Sequence, residues 1–251
     1  MIEIIPLTDL DEIKPGDDLP SLLAGAIRRQ SVAAGANTIL VVTQKIVSKA
    51  ENRYLRLSDV APRAEAERLA AIVRKDARFV ELVLRESVAV LRAVPDVLIT
   101  RHRLGLVMAN AGIDRSNIGP GDADRVLLLP VDPDGSARSI HARLSADLGA
   151  PLPVVITDSF GRPWREGIVG VAIGAAGLPS LVDRRGQTDR DGRKLEVTQV
   201  ALADMIASAA GLATGEGSEG IPAVLIRGVA LEKADIPASA LVRPLQMDLF
   251  Q

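Results

Sequence analysis

Three acidic residues, each in a loop beside a run that reads as a buried strand, are the groups best suited to chemistry: Asp114, Asp158 and Glu216. Asp158 belongs to Ile156-Thr157-Asp158-Ser159-Phe160-Gly161-Arg162-Pro163-Trp164-Arg165-Glu166-Gly167. There a carboxylate and a hydroxyl leave a strand together, Gly161 and Pro163 mark a turn, and Arg162 and Arg165 bring two cations close by. Such a group suits a site handling a metal and an anion together; a surface turn with an Asp–Arg ion pair is the other reading. Asp114 lies in Asn110-Ala111-Gly112-Ile113-Asp114-Arg115-Ser116-Asn117. Small residues there let a ligand approach the backbone and short polar side chains offer donors and acceptors, although an ordinary Asx-turn loop has the same composition.

Glu216 sits in Thr214-Gly215-Glu216-Gly217-Ser218-Glu219-Gly220. The run matches Gly-x-Gly-x-x-Gly, but a helix precedes it and a strand follows, the reverse of the order a dinucleotide-binding turn requires, so a Rossmann reading is rejected. Its amides can still line a phosphate, with Glu216 or Glu219 holding a metal. No Gly-Lys-Ser/Thr occurs, which excludes a P-loop. With oxygen donors alone in all three loops, the cation to expect is a hard one, Mg²⁺ or Mn²⁺. The acids are too far apart to form a local motif, so their convergence is a question for the fold. Lys45 and Lys49, in Gln44 to Glu51 directly after an apolar strand, are placed for a phosphate at a sheet edge; a solvated basic loop is the plainer alternative. His102 and His141 read as surface residues, and Trp164 as a buried indole more than as a platform for a substrate ring.

Composition removes several other functions. The chain has 251 residues, a net charge of −2, no cysteine and 2% aromatic residues. Acidic and basic residues are interspersed, giving no footprint for nucleic acid or an anionic membrane, and rings are too few to stack single-stranded bases. Thiolate zinc sites, disulfides and cysteine nucleophiles are excluded. Met1 to Pro6 lacks a basic n-region, and no apolar run is long enough to span a bilayer, so a cytoplasmic protein is expected.

The elements that must position these groups follow from periodicity. Strands are expected at Ile2 to Leu7, Thr38 to Thr43, Val97 to Thr100, Gly105 to Ala109, Val126 to Leu129, Leu152 to Ile156, Gly167 to Ala176 and Pro222 to Arg227. The glycine-rich member at Gly167 to Ala176 reads as a strand in close backbone contact. Helices are expected at Leu19 to Ala33 after a Pro15-Gly16-Asp17-Asp18 turn, at Ala64 to Arg74, Phe79 to Arg92, Ala137 to Leu148 and Glu196 to Ala213. Gly119 to Asp122 reads as a turn and Gly186 to Lys194 as an exposed excursion. No repeat or low-complexity segment divides the chain.

Four blocks, Val41 to Glu51, Ala109 to Asn117, Ile156 to Arg162 and Gly215 to Pro222, together resemble the signature blocks of the coenzyme F-420:L-glutamate ligase family, in the family's order and over nearly the whole chain. The resemblance implies a two-lobed mixed α/β fold of that type, with residues 1–251 one catalytic unit and no fused C-terminal flavin domain. It implies a homodimer using GTP, Mg²⁺ or Mn²⁺ and K⁺ to add L-glutamate, γ-linked, to the carboxylate of a deazaflavin coenzyme through an acyl phosphate. By position, Asp114, Asp158, Ser159 and Glu216 resemble metal ligands, with Ser159 where the family often has threonine. Leu10, Asp11, Glu12, Ile13, Gln44, Lys45, Lys49, Asn117, Thr214, Gly215, Glu216, Gly217, Ser218, Glu219, Gly220 and Ile221 resemble nucleotide contacts. Lys45, Arg162 and Arg165 are the catalytic clamps to expect. Asn52 stands where the family commonly has glycine, and Thr8 to Asp11 departs from a glycine-containing pattern. The alternatives are a metal-dependent phosphatase or phosphotransferase, an amino-acid ligase for another carboxylate, and a non-catalytic nucleotide-binding protein.

Overall fold

The apolar run at 38–43 is buried on both faces, and in the computed structural model it lies at the middle of a five-stranded sheet. The structure describes residues 1–30, 35, 37–119 and 123–248. In chain order its elements are β1 (Glu3–Pro6), α1 (Leu19–Arg29), β2 (Thr38–Thr43), α2 (Gln44–Ala50), β3 (Tyr54–Arg56), α3 (Ala64–Val73), α4 (Ala77–Arg85), β4 (Ser87–Val94), β5 (Val97–His102) and β6 (Val107–Ala109). There follow β7 (Arg125–Leu127), α5 (Pro133–Leu148), β8 (Val154–Arg162), β9 (Arg165–Ala176), β10 (Leu181–Asp183), β11 (Gln199–Ala201), α6 (Leu202–Thr214) and β12 (Ala223–Arg227).

The main sheet has the order β1-β12-β2-β8-β9, with β2 and β8 parallel and the other pairs antiparallel. Because side chains alternate along a strand, Leu40 and Val42 of β2 pack with α1 and α5 on one face, while Ile39 and Val41 pack with α6 on the other. Such a two-sided core explains why β2 and β8 read as continuous apolar runs. A third cluster, built from α3, α4, Leu98 and Val126, underlies the small β4-β5-β6 and β3-β7 sheets. These pieces belong to the long crossover that joins β2 to its parallel neighbour β8.

Asp18 caps α1 by accepting from the Ser21 hydroxyl at 2.6 Å, and Asp132 caps α5 by accepting from Gly135 N at 2.9 Å. Close packing explains two glycines of β9: a Cβ on Gly170 would lie 2.4 Å from Ala207 O, and one on Gly174 would lie 2.3 Å from Pro133 O. Helices therefore press on this strand from both sides, as the expected backbone contact requires.

Several expectations are corrected. The helix read over Phe79 to Arg92 ends at Arg85; Ser87 donates to Val83 O at its end, and β4 pairs with β5. Likewise the helix read from Glu196 begins at Leu202, because Gln199–Ala201 pairs with Leu181–Asp183. Strand pairing overrides helical periodicity in both places. Gln44–Ala50 is a helix, not a solvated loop, and Lys49 is 5% exposed. β8 runs on to Arg162 because it pairs along its length with β9, which moves the turn to Pro163 and Trp164. Trp164, at φ 61°, is 76% exposed rather than buried. His102 is fully buried and His141 half-buried, its Nδ1 donating to Leu152 O at 2.7 Å. The continuation of α1 to Ala33 and most of the Gly119 to Asp122 turn lie outside the described residues. Among the described residues no helix is long and apolar enough to cross a membrane.

Candidate functional site

A cavity of about 570 Å³ opens where β2 ends at Thr43, beside Thr157 of β8, and the loop after α6 contributes to its wall. Its wall contains Leu10 to Ile13, Gln44, Lys45, Lys49, Asn117 and Thr214 to Ile221, together with Asp158 and Ser159. Every residue implied above as a nucleotide contact thus faces one space, large enough for a ligand of nucleotide size.

Asp158 lies within β8, just past a register shift between Ile156 and Thr157, where β9 carries an extra residue. A bulge of this kind re-aims the side chains beside it. The Asp158 carboxylate is only partly accessible, and its pKa is pushed up to about 7. Desolvation is the main cause, the Asp114 carboxylate adds to it and Glu216 adds less, against the Ser159 N–H and Lys45.

Asp114 approaches from the loop after β6. Its Oδ2 is 2.5 Å from Lys45 Nζ and accepts from Gln44 Nε2 at 2.6 Å. Ser48, fully buried in α2, donates to Gln44 Oε1 at 2.9 Å and so turns the amide nitrogen toward Asp114. Glu216 accepts from Ser159 Oγ at 2.7 and 2.8 Å, and Glu219 accepts from Gly217 N at 2.8 Å within its own loop. Gly215 is required where it stands: its φ is 65°, and a Cβ there would meet the Glu219 carboxylate at 2.1 Å. Asn117 ties the loop down by donating to Gly217 O at 3.0 Å. Lys49 makes a 2.5 Å ion pair with Glu12 across the opening. Asn52 has φ 55°, a left-handed conformation that glycine adopts freely and Asn tolerates better than most residues.

The three acids are neighbours, close enough for two of them to raise the third, and their donor set is oxygen only, which fits a hard divalent cation. They do not form a finished cage. Among the described residues no three acidic or histidine side chains surround a common point, and Lys45 and Ser159 hold the Asp114 and Glu216 carboxylates instead. Arg162 and Arg165 are not in the cavity wall; they form the closing pair of the β8–β9 hairpin, with Arg162 donating to Glu166 O at 2.9 Å. Thr43, Thr157, Gly170, Ala207 and Gly211 also line the cavity and escaped the sequence reading. Ala207 and Gly211, four apart on α6 and small, were the available signal for a helix face against a ligand.

A mixed sheet covered by helices on both faces, with a nucleotide-sized cavity where β2 meets a glycine loop and carboxylates gather, is an α/β architecture with a site suited to an anionic ligand. A family model described as F420-0:Gamma-glutamyl ligase matches residues 8–228. The chain is 45% identical over all its length, and 97% of the other, to the coenzyme F420:L-glutamate ligase of Methanopyrus kandleri. It is 41% identical to the protein of that name from Methanothermobacter thermautotrophicus, covering 100% and 99%. With the one from Natronomonas pharaonis it shares 46% identity, over 90% of this chain and 86% of that one. The chain belongs to the F420-0:gamma-glutamyl ligase family, and it is a ligase.

Proposed function

We propose that this enzyme joins L-glutamate to the carboxylate of the deazaflavin F420-0 in a γ-glutamyl linkage, driven by GTP and passing through an acyl phosphate. The relatives' names support the substrates. One observation carries the chemistry: Asp158 and Glu216 line a nucleotide-sized cavity, and Asp114, held by Lys45 of the same wall, lies close enough to act on Asp158 together with Glu216.

In this reading an acceptor carboxylate oxygen attacks the γ-phosphorus, the bond to the β,γ-bridging oxygen breaks, and GDP leaves with that electron pair. The glutamate amine then attacks the acyl carbon, the carbon–oxygen bond to phosphate breaks, and the amine gives up its proton as inorganic phosphate departs. Lys45 and Lys49 neutralise phosphate charge, and the amides of the Thr214 to Ile221 loop hold phosphate oxygens. Asp114, Asp158, Ser159 and Glu216 would hold Mg²⁺ or Mn²⁺, with K⁺ as a further cation. When bound, the divalent ion supplies charge neutralisation on the transferring phosphoryl group. Arg162 and Arg165, on an exposed hairpin tip, enter as clamps delivered to a second copy in a homodimer. The enzyme acts in the cytoplasm.

The test is mass spectrometry of deazaflavin after incubation with GTP, Mn²⁺ and glutamate, with phosphate release measured in parallel. The expected product is heavier by one glutamyl unit, with phosphate release that needs both acceptor and glutamate. Phosphate release independent of both substrates would replace the ligase by a phosphatase.

A further inference from the structure

A second cavity, of about 610 Å³, shares no lining residue with the first. Asp114 is in its wall, while the Lys45 and Gln44 groups that hold the Asp114 carboxylate face the first cavity. Asp114 therefore links the two spaces, bordering the second and held by groups of the first, and each space is of a size that takes one substrate.

The second space is lined by cations that the protein leaves without acids. Arg74, Lys75 and Arg115 all border it, and none of them forms an ion pair among the described residues. Lys75 Nζ donates to the neutral Asn110 Oδ1 at 2.9 Å and feels Asp96 only through space. Arg115 donates to Ala123 O at 3.3 Å and lies over the Phe79 ring at 6.0 Å. The two acids in the wall are both taken: Asp76 by the Arg78 guanidinium at 2.6 Å, and Asp114 by Lys45. The wall thus carries three cations and two carboxylates, and both carboxylates already have a cation of their own in Arg78 and Lys45.

Backbone geometry adds a second sign. Asn110, Ala111 and Gly112 have φ of 52°, 52° and 66°, three left-handed residues in a row, two of them not glycine. Such strain persists where the surroundings enforce it, and here it aims Asn110 at Lys75 and sets the loop that carries Asp114.

We infer that this second cavity binds the carboxylate-bearing, non-nucleotide substrate of the ligase, with Lys75 and Arg115 on its anionic group and Arg74 at the mouth. The inference rests on the ligase reading, since a reaction with three substrates needs more room than a nucleotide cavity supplies. Two substrates share the required chemistry: glutamate with its carboxylates, and the acceptor with its own.

The experiment measures KM for GTP, glutamate and F420-0 separately in the unaltered protein and in Lys75→Met, Arg115→Met and Lys75→Arg. Expected is a rise of about tenfold or more in KM for glutamate or for F420-0 in both methionine variants, with KM for GTP within about twofold. Whichever KM moves identifies the occupant, and Lys75→Arg recovers most of the loss. Unchanged KM for both carboxylate substrates, or a parallel rise for GTP, overturns the inference. If the unaltered protein makes no product, the ligase reading fails by itself. Titration calorimetry with glutamate and with F420-0 then tests the cavity directly: binding weakened about tenfold in both methionine variants supports it, and binding of neither substrate, or equal binding, overturns it.

Discussion

Glu81 lies under two guanidiniums, whereas Asp158 lies beside two more carboxylates, and the chain treats these withdrawn acids in opposite ways. Glu81 has a side chain 1% exposed, because Arg63 and Arg85, both largely in water, lie across it at 2.9 Å. Burial alone would raise its pKa, but the Arg63 N–H and the two guanidiniums take it below the ordinary value. Glu86 is similar: the His102 ring at 3.5 Å lowers it most, against burial, and Arg103 and Arg53 assist. At Asp158 the balance is reversed, with burial and Asp114 raising the pKa to about 7. Negative charge is matched where it supports the small α3–α4 cluster and left in excess where a cavity opens. Structure is served by the first arrangement; a cation and phosphate would be served by the second.

The sharpest way to break this contrast is Asp158→Asn. Glutamyl transfer should fall roughly a thousandfold or more, while thermal denaturation shows equal or higher stability, because a repelled charge has been removed. A variant that melts early yet keeps its turnover would place Asp158 with the structural acids. Glu81→Ala should give the mirror image. Urea denaturation should show a loss of about 2 kcal/mol, the exposure of both arginines discounting the full penalty of a broken buried pair, with activity per folded molecule nearly unchanged.

Two glycines sharpen the comparison further. Gly170→Ala and Gly174→Ala each force a helix backbone away from β9, so each should cost about 1–2 kcal/mol in chemical denaturation. Only Gly170 lines the cavity, and only its variant should also raise KM for GTP. The smallest effect belongs to pH. Because the folded-state pKa of Glu86 is depressed, its contribution is complete above the unfolded value of about 4.5 and disappears as pH falls through the folded value. The stability gap between the unaltered protein and Glu86→Gln should therefore be widest above the unfolded value and shrink progressively as the pH falls below it, as read from melting curves at decreasing pH.

How much could be read without the fold differs by residue. The β2 run Thr38 to Thr43 was legible because burial on both faces writes a continuous apolar string. The turn chemistry of Asp18 was legible because a cap acts within one helical turn, whereas α5 begins at Pro133, ahead of the expected Ala137, with Asp132 as its cap. Ser87 to Val94 was misread, since its strand depends on β5 and not on its own periodicity. His102 was misread for a related reason: its burial depends on Glu86 and on the chain around it, which no neighbour in sequence reports. Among the site residues, the nucleotide-type contacts and the acids converge, while Arg162 and Arg165 stand apart on the hairpin because β8 continues past Asp158.

From the sequence alone came the inventory of groups: oxygen donors without cysteine, two lysines after a strand, and a glycine loop whose helix-before-strand order excludes a dinucleotide turn. Those are properties of composition and of short windows. Tertiary structure alone decided that Gln44 meets Asp114 across 70 residues and Ser159 meets Glu216 across 57. It also decided that a second, cation-lined space borders Asp114. The physical reason is that the parallel pairing of β2 with β8 closes a long loop, and the side chains gathered beside them are chosen by that closure rather than by any local preference.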